Sequence, residues 1–214
     1  MESQEVTIRS LKRVGPSTVA LELETPRGFS AKPGQFILIR ETIDGEEFAR
    51  HYTLSSPAVT NTFELTVGID PTGAFSGWLA ERQPDDILTI EGPFGQIYYD
   101  DEGPVRVLAG GPGIGAGLGV VERAIDQGFE AALIADPGEE ALIHEERFAA
   151  IAETNSVFVT STDDGFEAAV HAARTAVPDG IDFVFGFRTF VDRAVEAIAS
   201  AGGDPDEAKI ESYG

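Results

Sequence analysis

Short runs in which apolar and polar residues alternate cover most of the first half of the chain. The runs are rich in β-branched and aromatic residues, and Gly, Pro, Asn or Asp separates them at a spacing of roughly ten residues. A helix-like stretch at residues 75–83 interrupts them. This pattern predicts an antiparallel β-barrel or sandwich of six strands, at residues 5–14, 17–25, 34–41, 49–56, 62–69 and 86–95.

The pattern changes after residue 104, where short apolar runs alternate with longer amphipathic segments. Strands are predicted at 105–109, 130–135, 156–161, 182–186 and 208–214, and helices at 115–128, 139–153, 165–177 and 190–202. Such repeated β–α units predict a doubly wound parallel sheet with helices on both faces. The acidic, Gly- and Pro-containing segment 101–104 suggests a boundary, which gives two domains, 1–102 and 103–214.

Negative charge dominates the composition and is spread over the whole chain. The 214 residues include 37 acidic and 15 basic side chains, for a net charge of -22, and only three of the basic residues are lysines. This composition resembles that of proteins from extreme halophiles, where salt screens the repulsion between like charges; a merely acidic mesophilic protein is the alternative. Binding to nucleic acid or to an anionic membrane is disfavoured.

Several classes of protein are excluded by what the sequence lacks. No apolar run is long enough for membrane insertion, and the N-terminal residues do not resemble a secretory signal, so we expect a cytoplasmic protein. Without cysteine, the chain has no disulfide, thiolate zinc site or Cys-ligated iron–sulfur cluster. The three histidines lack metal-ligand spacing, so we expect no metal site, and His144 and His171 are interpreted as helix-surface residues.

The segment RHYTLSSP, residues 50–57, carries many hydrogen-bonding groups for a predicted strand. In a regular strand Arg50 and Tyr52 share one face about 7 Å apart, while His51 faces the other way. A guanidinium suits a phosphate, and a tyrosine ring suits a planar ligand. Thr53 and Ser55 add hydrogen-bonding groups, so the strand predicts a site for a ligand with both parts; a solvated edge strand is the alternative.

Two glycine-containing turns have the character of anion sites. GGPGIG, residues 110–115, links a strand to a helix, where free backbone N–H groups favour a phosphate, although tight strand–helix packing is the alternative. Asp136, after the next strand, lies close to where an acidic residue would meet a nucleotide ribose. In GAFS, residues 73–76, Ser76 is predicted to cap a short helix whose first amides suit a second anion; a plain capped helix is the alternative.

Taken in order, the motifs R-x-Y-T, G-x-x-S, G-P-x-G, G-G-x-G-I and the closing E-x-Y resemble the ferredoxin–NADP reductase superfamily over nearly the whole chain. The resemblance implies an FAD-binding β-barrel, an NAD(P)-binding α/β domain, and hydride transfer between NAD(P)H and FAD, with electrons passed to or from a carrier such as ferredoxin. Arg50 would bind the flavin pyrophosphate, Tyr52 would stack on the flavin ring and Thr53 would lie near its reactive nitrogen, and Ser55 is a further candidate for binding the cofactor.

The resemblance also assigns roles to the other motifs. It places Gly73, Phe75 and Ser76 around the FAD pyrophosphate, and Glu211 and Tyr213 on the nicotinamide side of the flavin, where they join Tyr52 and Thr53 as catalytic candidates. The candidate residues for the pyridine nucleotide are Gly110, Gly111, Pro112, Gly113, Ile114, Asp136, Ser161, Phe185 and Gly186.

The chain departs from the family pattern at Pro112, where Thr is usual, and at residues 185–187, where FGF replaces C-G-P. These departures leave open a fold-retaining flavin- or nucleotide-binding protein without hydride transfer. An electron-transfer subunit of a larger redox complex is also open, although such subunits usually carry a cysteine cluster. The segment after the third α/β strand lacks Arg and contains Asp163 and Asp164, which would repel a 2′-phosphate, so NADH is favoured over NADPH unless Arg147 or Arg188 reaches the pocket.

Overall fold

The first half of the chain forms the predicted antiparallel barrel. A computed structural model describes residues 3–153, 156–160 and 163–213. The six barrel strands follow the order β4-β3-β6-β1-β2-β5, and an antiparallel bridge between Leu54 and Leu65 joins the two ends of this sheet. Their bounds are β1 Gln4–Gly15, β2 Thr18–Glu24, β3 Phe36–Ile43, β4 Glu46–Thr53, β5 Thr62–Gly68 and β6 Ile87–Phe94.

Alternation along the strands places one set of apolar side chains inside the barrel. Ile37 and Ile39 of β3 are fully buried, as are Leu21 and Leu23 of β2, as expected for strands with one buried face. Helix α1, Ala74–Ala80, buries Phe75 and Leu79 in the same core. The helix-like insert therefore covers the barrel core.

Strand β4 begins earlier and ends earlier than the sequence pattern predicts. Asp44 and Gly45 have φ values of 52° and 85° and form a tight hairpin turn between β3 and β4. Asp-Gly is a strong signal for such a turn, because both central residues need positive φ. The strand then ends at Thr53, so Ser55 lies beyond it.

The second half forms the predicted doubly wound parallel sheet, with strand order β11-β10-β7-β8-β9. Helices α2 and α3 pack on one face and α4 and α5 on the other. The elements are β7 Val105–Gly110, α2 Gly113–Asp126, β8 Ala131–Asp136, α3 Glu145–Ala152, β9 Ser156–Val159, α4 Asp163–Ala176, β10 Ile181–Gly186, α5 Arg188–Ser200 and β11 Lys209–Ser212. Helix α3 is shorter than predicted, because the chain reaches it through His144 in the left-handed conformation, at φ 55°.

Helix α2 carries glycines on two faces. On the sheet side, a Cβ at Gly113 would lie 2.5 Å from the carbonyl oxygen of Phe185, and one at Gly117 would lie 3.0 Å from Val107. These two glycines therefore let the helix pack closely on the parallel sheet.

The other two glycines of α2 face the barrel. A Cβ at Gly115 would lie 2.0 Å from the Thr66 hydroxyl oxygen, and one at Gly119 would lie 3.0 Å from the Ser55 carbonyl oxygen. The same helix thus approaches both halves of the molecule, and it fixes how the barrel and the sheet meet.

A buried histidine also joins the two halves. The backbone N–H of His144 donates to the carbonyl of Val14 at 3.0 Å, and its Nε2 lies 2.8 Å from the Thr66 hydroxyl. Only 6% of His144 is exposed, so the expectation of a helix-surface residue is wrong. Burial, with a smaller contribution from nearby Arg147, lowers the pKa of His144 from 6.5 to about 3, and the ring is neutral near pH 7.

Arg147 connects the halves beside this histidine. Its guanidinium donates to both carboxylate oxygens of Glu122 at 2.7 Å, to Glu64 of the barrel at 3.1 Å and to the Ser55 carbonyl at 2.7 Å. Burial raises the pKa of Glu64 in spite of the neighbouring Arg147. The Arg147 guanidinium is therefore engaged in hydrogen bonds at the interface between the halves.

Basic side chains hold the connection between the two sheets. Lys32 pairs with Asp100, Lys209 pairs with Glu102 and donates to the Tyr98 carbonyl at 2.9 Å, and Arg123 binds both carboxylate oxygens of Asp101. The change of sheet falls between β6 and β7, and the domain limits 1–102 and 103–214 stay a prediction. Among the described residues, no helix is long and apolar enough to cross a membrane.

Candidate functional site

A cavity of about 830 Å³ lies where the barrel and the parallel sheet meet. Strand β4, helix α1, the turn after β7, the loop after β8 and the C-terminal strand β11 all contribute to its wall. The predicted residues that line it are Arg50, Tyr52, Thr53, Gly73, Phe75, Ser76, Gly111, Pro112, Ile114, Glu211 and Tyr213. The structure therefore brings together groups that are up to 163 residues apart in the sequence, as the span from Arg50 to Tyr213 illustrates.

Strand β4 contributes a cation and a ring to the cavity. Arg50 is exposed, and its Nη1 donates to the carbonyl of neighbouring Ala49 at 2.9 Å. Tyr52 is half-buried and stacks on Phe75, with ring centroids 6.4 Å apart. Burial raises the pKa of Tyr52 to about 12, against a smaller opposing effect of Arg50, so its hydroxyl keeps its proton at neutral pH.

Helix α1 lies beside this strand, but Ser76 does not cap it. The N-cap residue is Gly73, and no side chain accepts a hydrogen bond there. Ser76 lies within the helix, and its hydroxyl oxygen accepts the backbone N–H of Asp70 at 3.0 Å. The Asp70 carboxylate in turn accepts from the N–H and hydroxyl of Thr72, which lowers the pKa of Asp70. Ser76 therefore fixes the loop that leads into α1.

Some residues of the glycine-rich turn line the cavity, and others pack in the core. Gly111 lines the cavity in the left-handed region, at φ 53°, and Pro112 is the N-cap residue of α2. Pro112 also packs on the barrel, because a Cβ at Gly68 would lie 2.6 Å from its Cγ. Gly113 faces Phe185 instead of the cavity wall, and its assignment to the nucleotide site stays a prediction.

The C-terminal strand closes the opposite wall. The Tyr213 side chain hydrogen-bonds the Thr53 side chain, and its backbone N–H donates to the Gly186 carbonyl at 2.9 Å. Its ring meets Phe187 edge-on, with centroids 6.2 Å apart. Burial raises the pKa of Tyr213 and also that of half-buried Glu211, so a carboxyl group with an elevated pKa lies in the cavity wall.

Phe185, Gly186, Gly110 and Ser55 do not line the cavity. Phe185 is fully buried and stacks on Phe183 in the sheet core, 6.2 Å between centroids. A Cβ at Gly110 would lie 2.5 Å from the Phe190 ring, and a Cβ at Gly186 would lie 2.6 Å from it. The absence of a side chain at both glycines therefore makes room for Phe190. The buried Ser55 hydroxyl donates to Glu64 at 2.9 Å.

Asp136 is engaged elsewhere, and Ser161 lies outside the described residues. The Asp136 carboxylate accepts the backbone N–H of Gly138 at 2.8 Å and forms an ion pair with Arg193 of α5. Only 7% of the Asp136 side chain is exposed. Its oxygens are therefore already paired within the protein, and a role for Asp136 at the nucleotide ribose stays a prediction.

Further residues line the cavity that the sequence patterns did not single out. Phe48 lies two residues before Arg50, and strand alternation places it on the same face as Arg50 and Tyr52, so the period-two pattern contained this signal. His51 also borders the cavity, although alternation turns its side chain to the other face of β4 from Arg50 and Tyr52, and it packs edge-on against Phe36 at 5.1 Å. The remainder are Ser17, Thr18, Phe36, Thr66, Gly68, Ile69, Asp70, Ala74, Ala116, Pro137, Glu140, Ala141, Ile143, Phe187 and Ser212.

The barrel and α1 match a known family by sequence. Residues 5–99 match the family described as the oxidoreductase FAD-binding domain. The reductase subunit of glycine betaine monooxygenase from Chromohalobacter salexigens is 39% identical over 101 residues, which cover 45% of this chain and 27% of that protein. A flavohemoprotein from Pseudomonas aeruginosa is 30% identical over 129 residues, or 59% of this chain and 30% of that protein. The chain thus spans less than a third of the length of these two relatives.

Solved structures share the fold of the whole chain. A ferredoxin reductase in carbazole 1,9a-dioxygenase superposes with a TM-score of 0.84 at 19% identity, covering 100% of this chain and 70% of that one. A ferredoxin NADP+ reductase from Neisseria gonorrhoeae with bound FAD and NADP gives a TM-score of 0.80 at 20% identity, covering 99% of both chains. The predicted fold, an antiparallel barrel followed by a doubly wound sheet, is confirmed.

Proposed function

We propose that this chain, whose residues 5–99 match the oxidoreductase FAD-binding domain family, is an NAD(P)H-dependent flavin oxidoreductase. The observation that carries the proposal is the shared cavity that joins Arg50, Tyr52 and Thr53 of β4 to Gly111 and Tyr213, which follow strands β7 and β11 of the other half. A hydride donor and its acceptor must lie side by side, and a cavity shared by both halves meets that need.

The residues of the barrel side fit FAD. Arg50 is the one Arg or Lys that lines the cavity within the described part of the chain, and its guanidinium is exposed. It suits a pyrophosphate, for which arginine offers a bidentate donor. The Tyr52 ring offers a flat apolar face supported from behind by Phe75, which suits a planar ring system. A volume of about 830 Å³ is within the usual range for a cofactor site.

FAD, when bound, supplies the redox chemistry, because it exchanges two electrons with a nicotinamide and single electrons with a carrier. The protein residues bind the cofactor and orient it. Arg50 neutralises phosphate charge, and Tyr52 positions the ring as a neutral phenol. Thr53 presents its hydroxyl beside Tyr213, and the Phe187–Tyr213 pair restricts water at the sheet side of the cavity. Glu211, with its raised pKa, can hold a proton in that wall.

The onward acceptor is proposed to be a separate redox protein. The 214 residues contain no cysteine and therefore no Cys-ligated cluster to take the electrons. Relatives include the reductase subunit of glycine betaine monooxygenase and the electron transfer component of anthranilate 1,2-dioxygenase from Acinetobacter baylyi. They support a role as reductase component of an oxygenase, as the second candidate beside a free-standing reductase of a ferredoxin-like carrier.

NADH is the proposed electron donor, and a salt-rich cytoplasm is the proposed environment. The loop after β8 and the start of α4 carry Glu139, Glu140 and Asp163, which oppose the charge of a 2′-phosphate. Arg147 is bound at the interface between the halves, and the Arg188 side chain is 80% exposed beside Asp192. Neither supplies a cation to the strand ends. The net charge of -22 supports the salt-rich medium.

The test is a stopped-flow comparison of NADH and NADPH with the FAD-reconstituted chain at molar salt, following the flavin absorbance. Rapid bleaching by NADH, slower with NADPH, is the expected result. A bound flavin that neither nucleotide bleaches would instead favour a fold-retaining binding protein, and failure to take up FAD at all would overturn the proposal. Co-purification with an oxygenase or another redox protein would favour the subunit role.

A further inference from the structure

Arg193 bridges the last residue of strand β8 and the first residue of helix α4, which follows the neighbouring strand β9. Its Nη2 forms an ion pair with Asp136, the last residue of β8, and its Nη1 lies 3.0 Å from Oδ1 of Asp163, the first residue of the helix after β9. The guanidinium reaches this place from α5, far away in sequence. A cation is therefore present in the region where the sequence pattern showed only carboxylates.

Aromatic rings hold the Arg193 side chain in place. Its Cζ lies 4.4 Å from the centre of the Phe166 ring and 5.6 Å from that of Phe190. The side chain is 28% exposed, and its buried Nε has no hydrogen-bond partner among the described atoms. Because the rings and Asp136 already restrict this guanidinium, binding an anion would cost it little conformational freedom.

An open groove lies at the ends of strands β8 and β9, beginning with Pro137, the residue after Asp136. It measures about 440 Å³ and is lined by Pro137, Gly138, Glu139, Glu140, Val159 and Thr160, which follow or end β8 and β9. In doubly wound sheets nucleotides bind at the carboxyl ends of the strands, and the acidic residue about 20 positions after the glycine-rich turn marks the ribose 2′ position. Asp136 holds that position in this chain, so the ribose 2′ group would approach Arg193.

Building on the proposed function, we infer that Arg193 is the residue that would recognise a 2′-phosphate and that Asp163 masks it. One guanidinium between two carboxylates carries a net charge of about -1, which repels a phosphate. Removing the Asp163 charge leaves Arg193 with one carboxylate and frees Nη1 to donate to the phosphate. The preference for NADH thus depends on Asp163, because Asp136 is committed to the fold by Gly138 and by burial.

The experiment compares two probes that differ only in the 2′-phosphate, adenosine 2′,5′-bisphosphate and 5′-AMP, by calorimetry at fixed ionic strength. The Asp163 side chain is 84% exposed, so Asp163→Asn should leave the fold intact. We expect this variant to bind the bisphosphate at least about fivefold more tightly, equivalent to about 1 kcal/mol, with 5′-AMP affinity unchanged. Asp164→Asn removes the same charge from the neighbouring residue and is the matched control.

A second variant identifies the guanidinium as the cause. Adding Arg193→Lys to Asp163→Asn keeps the charge but removes the planar donor, and it should abolish most of the gain. Equal effects of Asp163→Asn and Asp164→Asn, or an unchanged ratio of the two probes, would overturn the inference while leaving nucleotide binding in place. No binding of 5′-AMP, NADH or the bisphosphate to any variant would overturn the proposed function as well.

Discussion

The hydroxyl of Thr66 lies 2.8 Å from Nε2 of His144, across the boundary between the barrel and the parallel sheet. The histidine is neutral there, because burial lowers its pKa from 6.5 to about 3. The unfolded chain binds a proton at His144 below about pH 6.5, whereas the folded chain resists it down to about pH 3. The contribution of His144 to stability is therefore fully present above pH 6.5 and is lost as the pH falls towards 3.

The first prediction concerns this pH dependence. Between pH 7 and pH 5, wild-type protein should lose about 2 kcal/mol more of its unfolding free energy than His144→Gln, whose side chain does not titrate. Denaturant unfolding at the two pH values measures the difference. Carboxylates such as Glu64 titrate in both proteins and cancel in the comparison. Parallel pH profiles for the two proteins would mean that burial does not lower the pKa of His144, which then titrates alike in the folded and unfolded chain.

A second prediction tests the flavin phosphate site. Arg50→Ala should weaken FAD binding by about tenfold to a hundredfold, the usual range for a hydrogen bond to a charged group. Titration of the apoprotein with FAD measures this directly, without any turnover. Arg40→Ala is the control, because Arg40 lies on the adjacent strand β3 and pairs with Glu91 outside the cavity. Full flavin retention by Arg50→Ala after dialysis would refute the assignment.

A third prediction tests the close approach of α2 to the barrel. Gly115→Ala should lower the unfolding free energy by about 1–3 kcal/mol, because the new methyl group would overlap the buried Thr66 side chain. Gly77→Ala in α1 is the matched control, since nothing lies within 4 Å of its added carbon. That change should be neutral or stabilise by up to about 1 kcal/mol. Equal melting temperatures for the two variants would argue against the contact.

A fourth prediction follows from the net charge of -22. Raising KCl to the molar range shortens the screening length from about 10 Å to about 3 Å, so the melting temperature should rise steeply with KCl. KCl is the better choice over sulfate, because sulfate also strengthens apolar burial. A melting temperature that stays constant or falls would show that repulsion between surface charges does not limit stability.

The strand architecture was predictable from the sequence because a period of two is a local property. In each barrel strand, the alternation of apolar and polar residues identifies the buried face. The same alternation places Phe183 and Phe185 on one face of β10, and their rings stack in the core. The family pattern at residue 185 instead predicted that Phe185 meets the nucleotide, whereas in the segment 185–187 it is Phe187 that lines the cavity.

The rest of the site depends on packing between distant elements. Phe190 and Arg193 reach the strand ends only because α5 docks on the sheet at one particular depth, which no local pattern specifies. His144 is buried for the same reason: the loop before α3 meets the barrel, although the acidic residues Glu139 and Glu140 make that loop look solvated in the sequence. Contacts of this kind need the three-dimensional arrangement before they can be recognised.

The lysines give the molecule a built-in chemical reporter. Lys32 and Lys209 are tied to the segment that connects the two sheets, whereas Lys12 lies exposed on β1. Pairing with Asp100 raises the pKa of Lys32 and makes its amine less reactive towards acylating reagents. Mass spectrometry of briefly acylated protein should therefore find the label on Lys12 first, and a gain of label at Lys32 and Lys209 would signal that the two halves have come apart.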